Sequence, residues 1–147
     1  MAVITTDILL EGVPRDRVFE WLSDPAHHRV LVEGAFDGFK ENGTGDFTVT
    51  LKLSPKSRDM GYRFLRPDDA HGGRRVLIET TGKRTKGAMS YSLRTMKPST
   101  NTLVTLHLDY DAGGLLGELV NRAGLTAGIE AGMKKVLENL ARSYPRT

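Results

Sequence analysis

The residues that decide the fold are NTLVTLHLDYDAGG at 101–114 and the segment that follows, LLGELVNRAGLTAGIEAGMKKVLENLARSY at 115–144. In the first stretch apolar residues alternate with polar ones, which is the pattern of a strand with one buried face. After Gly113-Gly114 the apolar residues recur every three to four positions, as in an amphipathic helix. The sequence therefore predicts a strand over Thr102–Asp111 and one helix over Leu115–Tyr144, which at 1.5 Å per residue is about 45 Å long.

The alternating pattern also runs through the middle of the chain. It predicts five more strands, at Glu33–Lys40, Gly45–Ser54, Asp59–Arg66, Arg75–Thr81 and Lys86–Met96. The segments between them are short and rich in Gly, Pro, Asn and Asp, which are turn residues. Parallel strands need crossovers of a dozen or more residues, so the short links predict an antiparallel meander.

The beginning of the chain predicts one strand and two short helices. Val3–Glu11 is rich in β-branched and aliphatic residues, and Pro14 suits the first turn of a helix over Arg15–Ser23. A second short helix is predicted over Ala26–Leu31. The sheet and the long helix each have one apolar face to bury. The sequence therefore predicts an α+β helix-grip, in which a curved seven-stranded antiparallel sheet wraps around the long C-terminal helix.

Length and composition narrow the class of protein further. The 147 residues fit one domain, 1–147, and the absence of Cys excludes a disulfide framework, a thiolate metal site and a cysteine nucleophile. No apolar run reaches the roughly 20 residues of a membrane helix, and no secretory leader is present, so a cytoplasmic location is expected. Gln is absent too, a composition typical of heat-adapted proteins. A net charge of only +3 argues against nucleic acid as the partner and leaves a protein partner open.

The order of elements and three stretches of sequence resemble the START-related (SRPBCC) superfamily, which includes polyketide cyclase/dehydrase-like proteins and the major birch pollen allergen. The stretches are GVPRDRVFEWLSDP at 12–25, GKRTKGAMSYSLRTMKP at 82–98 with NTLVTLHLDYDAGG after it, and the long terminal helix. The resemblance covers about residues 3–143. It implies a helix-grip fold with an apolar pocket between sheet and helix that holds a hydrophobic small molecule. Members include carriers, cyclases and dehydratases, so the resemblance implies the fold more strongly than an activity.

Alternate residues of the predicted strands form the candidate lining of that pocket. The tyrosines among them carry hydroxyl groups that a buried site must satisfy, and a ligand or trapped water would do so. The alternative is that the same residues pack against one another as a plain core. The candidate ligand-binding residues on the strands are Tyr62, Phe64, Met89, Tyr91, Leu106, Leu108 and Tyr110.

The long helix contains Gly124, Gly128 and Gly132 at intervals of four residues. Each glycine in a helix interior costs about 1 kcal/mol relative to alanine. Close packing against the sheet, a bend, or room for a ligand would each explain them. The candidate ligand-binding residues on the helix are Gly128, Ile129, Gly132 and Met133.

Basic residues collect at one end of the predicted meander. The turns at 55–57 and 82–85 share that end with Gly113-Gly114, where the positive end of the helix dipole also lies. In the proteins that this chain resembles, the pocket commonly opens there. A basic mouth would suit a ligand with a carboxylate or phosphate head, and the alternative is a solvated basic surface. The candidate anion-binding residues are Lys56, Arg58, Lys83, Arg84 and Lys86.

Signals for catalysis are weak in this sequence. The histidines at 27, 28, 71 and 107 lack metal-ligand spacing and are interpreted as structural or solvent-exposed, so neither a metal nor a cofactor is expected. Glu79 would be an acid or base if its strand turned it inward. Three functions fit these residues: carriage of a hydrophobic molecule with or without an anionic head, a cyclase or dehydratase with proton transfer by Tyr91, Tyr62 or Glu79, and a partner-binding module that uses the basic end.

Overall fold

The computed structural model describes residues 2–52, 57–69, 74–82, 85–97, 100–111 and 122–143. The strands are β1 (Ala2–Leu10), β2 (Gly38–Gly43), β3 (Asp46–Lys52), β4 (Ser57–Asp68), β5 (Arg75–Gly82), β6 (Thr85–Met96) and β7 (Asn101–Asp111). The helices are α1 (Arg15–Leu22), α2 (His28–Val32) and α3 (Arg122–Ser143), with a 3₁₀ turn at Pro25–His27 before α2.

The seven strands form one antiparallel sheet in the order β1-β7-β6-β5-β4-β3-β2. Strands β2 to β7 follow one another as a meander, and β1 pairs with the last strand, β7. The sheet is curved and unclosed, and α3 lies against its concave face. The predicted α+β helix-grip is confirmed.

The predicted strand over Glu33–Lys40 is wrong in its first five residues. Helix α2 extends to Val32, and Gly34 then adopts a φ of 80°, a left-handed conformation that reverses the chain and suits glycine. Strand β2 begins only at Gly38. The first residues of the predicted long helix, 115–121, lie outside the described residues, as does residue 144.

The inner face of the sheet and the apolar stripe of α3 form the core. The buried hydrophobic side chains of α3 are Leu125, Ile129, Met133, Val136, Leu137 and Leu140. Facing them, alternate residues of β7 are buried, from Thr102 to Tyr110. This alternation follows from the pleat of a strand, in which successive side chains point to opposite faces.

Helix α1 packs against β5, β6 and β7. Its buried residues, Val18 and Leu22, point into the core. Two hydrogen bonds fix the loop before it to the start of β7: the Thr102 hydroxyl donates to the Val13 carbonyl at 2.6 Å, and the Gly12 amide donates to Asn101 at 3.0 Å. None of the helices that the structure describes is long and apolar enough to cross a membrane.

Candidate functional site

The structure brings the predicted lining residues together on the inner side of the sheet and helix. Tyr62, Met89, Tyr91, Leu106, Leu108, Tyr110, Ile129 and Met133 are all buried there. Phe64 is half-buried and packs edge-on against the ring of His28 at 5.1 Å between centroids. Gly132 is buried and Gly128 half-buried. Their role as ligand contacts remains a prediction.

Three polar side chains meet inside this apolar interior, and we call His28, Tyr62 and Tyr91 the buried polar triad. His28 Nδ1 lies 2.5 Å from the Tyr62 hydroxyl, and the Tyr62 and Tyr91 hydroxyls are 2.7 Å apart. His28 Nε2 lies 2.7 Å from the Leu22 carbonyl. His28 and Tyr91 are 0% exposed and Tyr62 is 3% exposed. The triad therefore links α2 to two strands of the sheet.

The local sequence explains why a histidine stands at this point. Helix α1 ends at Leu22, and the last carbonyls of a helix lack partners within it. The Asp24 side chain accepts a hydrogen bond from the Ala26 amide at 2.9 Å and starts the 3₁₀ turn that reverses the chain. That turn brings the imidazole of His28 back to the Leu22 carbonyl, which it satisfies.

Helix α2, which carries His28, is itself held by α3. The Asn139 amide, on α3, donates to the Leu31 carbonyl at 3.0 Å and to the Glu33 carbonyl at 3.4 Å. Asn139 is 8% exposed, and its oxygen accepts a hydrogen bond from Arg142. These bonds satisfy carbonyls at the end of α2 and fix the helix relative to the core.

All three members of the triad are neutral near pH 7. Burial lowers the pKa of His28 from 6.5 to about 4, although its hydrogen bond to Leu22 acts in the opposite direction. Burial raises the pKa of the Tyr62 and Tyr91 hydroxyls above the ordinary value of 10.0. The site consequently offers hydrogen bonds without charge, since neither a phenolate nor an imidazolium forms there at neutral pH.

The tyrosine hydroxyls have protein partners. Tyr62 and Tyr91 pair within the triad, and the Tyr110 hydroxyl lies 3.0 Å from the Thr126 hydroxyl on α3. Each hydroxyl thus makes a hydrogen bond within the protein, so burial of these tyrosines does not by itself require the ligand or trapped water that the sequence offered as one way to satisfy them.

The structure gives Gly132 a packing role. A Cβ atom at this position would overlap the ring of Phe36, which packs directly against the helix backbone. The close contact at Gly132 is therefore with the Phe36 side chain, in the segment between α2 and β2, and not with the sheet as the sequence suggested. Gly124 is exposed, so close packing does not explain that glycine.

The predicted basic end is described only in part. Arg58 lies opposite the buried Leu51 in the β3–β4 pairing, which places it on the inner face of the sheet, two positions from Met60. Lys86 pairs with Asp111 at the same end, but its side chain is not described. Lys56, Lys83 and Arg84 lie outside the described residues.

Glu79 is not an interior acid or base. Val76 and Ile78 occupy the inward positions of β5 with exposures of 0% and 1%, so Glu79 points outward. There its carboxylate lies 3.7 Å from Arg63. Among the described residues, no group of three His, Asp or Glu side chains could hold a metal ion.

The position of His28 within the site was not predicted from the sequence, where all four histidines received the same interpretation. The structure separates them: His27 stacks on Trp21 at 4.6 Å, and His107 bonds to Thr5 on the outer face. The available signal was the spacing of His28, Leu31 and Val32, which places the imidazole on the buried stripe of α2.

Comparison with known proteins supports the fold. No family model matches the chain, and no curated protein matches its sequence. Among solved structures, KanY protein matches with a TM-score of 0.67 at 15% identity, covering 97% of both chains. The Zhui aromatase/cyclase from Streptomyces sp. R1128 matches at 0.62 and 14%, covering 97% of this chain and 93% of that one.

A third similar structure is norcoclaurine synthase from Thalictrum flavum in complex with dopamine and hydroxybenzaldehyde. It matches with a TM-score of 0.51 at 17% identity, covering 93% of this chain and 87% of that one. These proteins have polyketide cyclase-like (SRPBCC) folds, and this chain has the same helix-grip architecture. The resemblance noted in the sequence is confirmed at the level of the fold.

Proposed function

We propose that the protein binds an apolar small molecule between the inner face of the sheet and α3. The observation that carries the proposal is the buried polar triad, a neutral and fixed set of hydrogen-bonding groups inside an otherwise apolar interior. Binding sites for small molecules typically combine apolar walls with a few polar groups that orient the ligand. The complex of norcoclaurine synthase with two small aromatic molecules shows that a related fold accommodates such ligands.

The triad favours binding over proton-transfer chemistry. A general base works best when its pKa lies near the operating pH, whereas His28, with a pKa of about 4, is a weak base at pH 7. The raised pKa values of Tyr62 and Tyr91 make both hydroxyls poor proton donors to a substrate. The site is thus better suited to a carrier or binding protein than to a cyclase or dehydratase.

Arg58 extends the proposal to ligands with an anionic head. It shares the inner face of β4 with Tyr62, and four residues of a strand span about 13 Å. A ligand of that length would reach from the triad to the guanidinium. Arginine has five N–H donors and can receive a carboxylate in addition to protein acceptors.

The test measures saturable binding of naphthalene and of hexadecanoate by isothermal titration calorimetry. Leu106 is 0% exposed beside Tyr91, so Leu106→Trp should fill the interior and weaken binding of both probes at least tenfold. Leu103→Trp is the matched control, since Leu103 lies on the other face of the same strand. Thermal melts of both variants show whether a loss of binding comes from a filled interior or from unfolding. Met133→Phe fills the interior less, from the α3 side, and serves if Leu106→Trp does not fold.

The proposal fails if the wild-type protein binds neither probe. It also fails if Leu103→Trp and Leu106→Trp, both folded, lose affinity equally. Native mass spectrometry of freshly purified protein provides an independent measurement, in which a bound apolar molecule released on denaturation is the expected result.

A further inference from the structure

We propose that the buried polar triad selects a ligand that donates a hydrogen bond, such as an alcohol or a phenol, and that the oxygen of Tyr91 receives it. The inference rests on the proposed function and adds to it the polarity of the group that the ligand must present. It follows from the direction in which the hydrogen bonds of the triad run.

The Leu22 carbonyl sets that direction. A carbonyl oxygen only accepts, so His28 Nε2, at 2.7 Å, must carry the proton and donate it. Neutral imidazole has one N–H, and Nδ1 is consequently an acceptor. The Tyr62 hydroxyl, 2.5 Å from Nδ1, donates its single proton there. The tautomer of His28 is thus assigned by its carbonyl partner.

The assignment then passes to Tyr91. The Tyr62 hydroxyl already donates its single proton to His28, so in the 2.7 Å contact between the two hydroxyls the Tyr62 oxygen accepts a hydrogen bond from the Tyr91 hydroxyl. Tyr91 therefore donates inward, toward Tyr62, and has no proton left for a ligand. What its oxygen still offers is a lone pair. In the part of the chain that the structure describes, Tyr62 is the sole hydrogen-bond partner of this oxygen.

His28 acts here as a positioning residue for specificity. Two tyrosine hydroxyls paired alone would rotate and could offer a ligand either a proton or a lone pair. With His28 in place, only the lone pair is offered. An ether or a ketone has only acceptor oxygens, so next to the Tyr91 oxygen it would form no hydrogen bond. Both oxygen atoms would then be buried without a partner. A carboxylate is disfavoured for the same reason, so an anionic head would lie toward Arg58 and the hydroxyl toward the triad.

The experiment compares three probes of one ring system at pH 7.5: naphthalene, 1-naphthol and 1-methoxynaphthalene. We expect 1-naphthol to bind about tenfold more tightly than 1-methoxynaphthalene, the range of one neutral hydrogen bond. In Tyr62→Phe the Tyr91 proton loses its acceptor and becomes available to the ligand, so this preference should fall below about twofold or reverse. Ser90→Ala is the matched control, because Ser90 precedes Tyr91 on β6 but lies opposite His107 on the outer face, so its loss should leave the preference intact.

A second measurement does not depend on a variant or a ligand. Nitrogen-15 chemical shifts of His28 at pH 7.5 distinguish the protonated from the unprotonated ring nitrogen. Protonation at Nε2 is expected. Protonation at Nδ1 would reverse every hydrogen bond of the triad and overturn the proposal.

The failures of the two proposals are distinguishable. Equal binding of 1-naphthol and 1-methoxynaphthalene overturns the donor preference and leaves binding of apolar molecules standing. An unchanged preference in Tyr62→Phe overturns the role of the triad. Absence of saturable binding for all three naphthalenes, together with hexadecanoate, overturns both proposals.

Discussion

The two faces of the sheet use polar residues in opposite ways. On the outer face, charged side chains pair across strands while remaining open to solvent, as Arg63 and Glu79 do at 62% and 42% exposure. On the inner face, buried polar side chains bond to one another away from solvent, as the members of the triad do in one ordered series of hydrogen bonds. Exposed pairs of this kind contribute about 0–1 kcal/mol, whereas a buried polar group left without its partner costs about 1–3 kcal/mol. Substitutions should therefore act strongly on one face and weakly on the other.

The largest difference between the faces is expected from removing a buried ring. Phe47, at 1% exposure, packs between Phe39 and Tyr62. Phe47→Ala should lower the free energy of unfolding by about 4 kcal/mol, because it removes buried surface and leaves a cavity. Leu9→Ala, at a site 44% exposed on β1, is the outer-face control and should cost less than about 1 kcal/mol. Urea unfolding measures both, and similar losses would contradict the assignment of the core to the inner face.

The next effect is a dependence of stability on pH that comes from His28. Its pKa is about 4 in the folded protein against 6.5 for the ordinary imidazole, so between these values the unfolded chain binds more protons. The contribution of neutral His28 to the free energy of unfolding is fully present above about pH 6.5, and it is lost as the pH falls toward 4. The difference corresponds to about 3 kcal/mol.

The groups around His28 support that sign. The rings of Tyr62, Phe64 and Tyr91 surround the imidazole, and burial outweighs the opposing effect of the nearby Asp24 carboxylate. In His28→Gln the urea midpoint of unfolding should change little between pH 4 and 6.5. In His107→Gln, on the outer face, the midpoint should depend on pH as it does in the wild-type protein. A slope unchanged in His28→Gln would assign the pH dependence to other groups.

The contrast between the faces also shows what the sequence could predict. Alternation in β3, β4, β6 and β7 predicted the inward positions, including Tyr62 and Tyr91, because period-two burial is a local property of a strand. His28 could not be placed with them, since its contact with Tyr62 joins residues 34 positions apart and depends on how α1 and the 3₁₀ turn reverse the chain. The phase of β5 was equally hidden, because Val76, Leu77 and Ile78 are all apolar and only pairing with the neighbouring strands decides which side is buried.

A smaller effect is expected at the glycines of α3. Gly132→Ala should destabilise the protein by about 1 kcal/mol, because displacement of the Phe36 ring outweighs the gain of about 1 kcal/mol in helix propensity. In a Phe36→Ala background the same substitution should become stabilising. Gly124→Ala, at an exposed site of the same helix, should stabilise the protein by up to about 1 kcal/mol. Thermal melts test the signs, and destabilisation that persists without the Phe36 ring would show that the glycine has another cause.

The smallest expected effect is a difference in ligand affinity between substitutions on the two faces of one strand. Arg58 and Arg63 are both on β4, but Arg58 lies opposite the buried Leu51 and Arg63 pairs with Glu79 on the outside. Arg58→Gln should weaken hexadecanoate binding about fivefold, as expected for loss of one charge-assisted contact near solvent, and leave naphthalene binding unchanged. Arg63→Gln should alter neither affinity. If both variants lose hexadecanoate affinity equally and the loss disappears in 0.5 M salt, the effect is one of overall charge. In that case Arg58 does not hold the anionic head of the ligand at the inner face, and only the hydrogen bond to Tyr91 can orient the ligand.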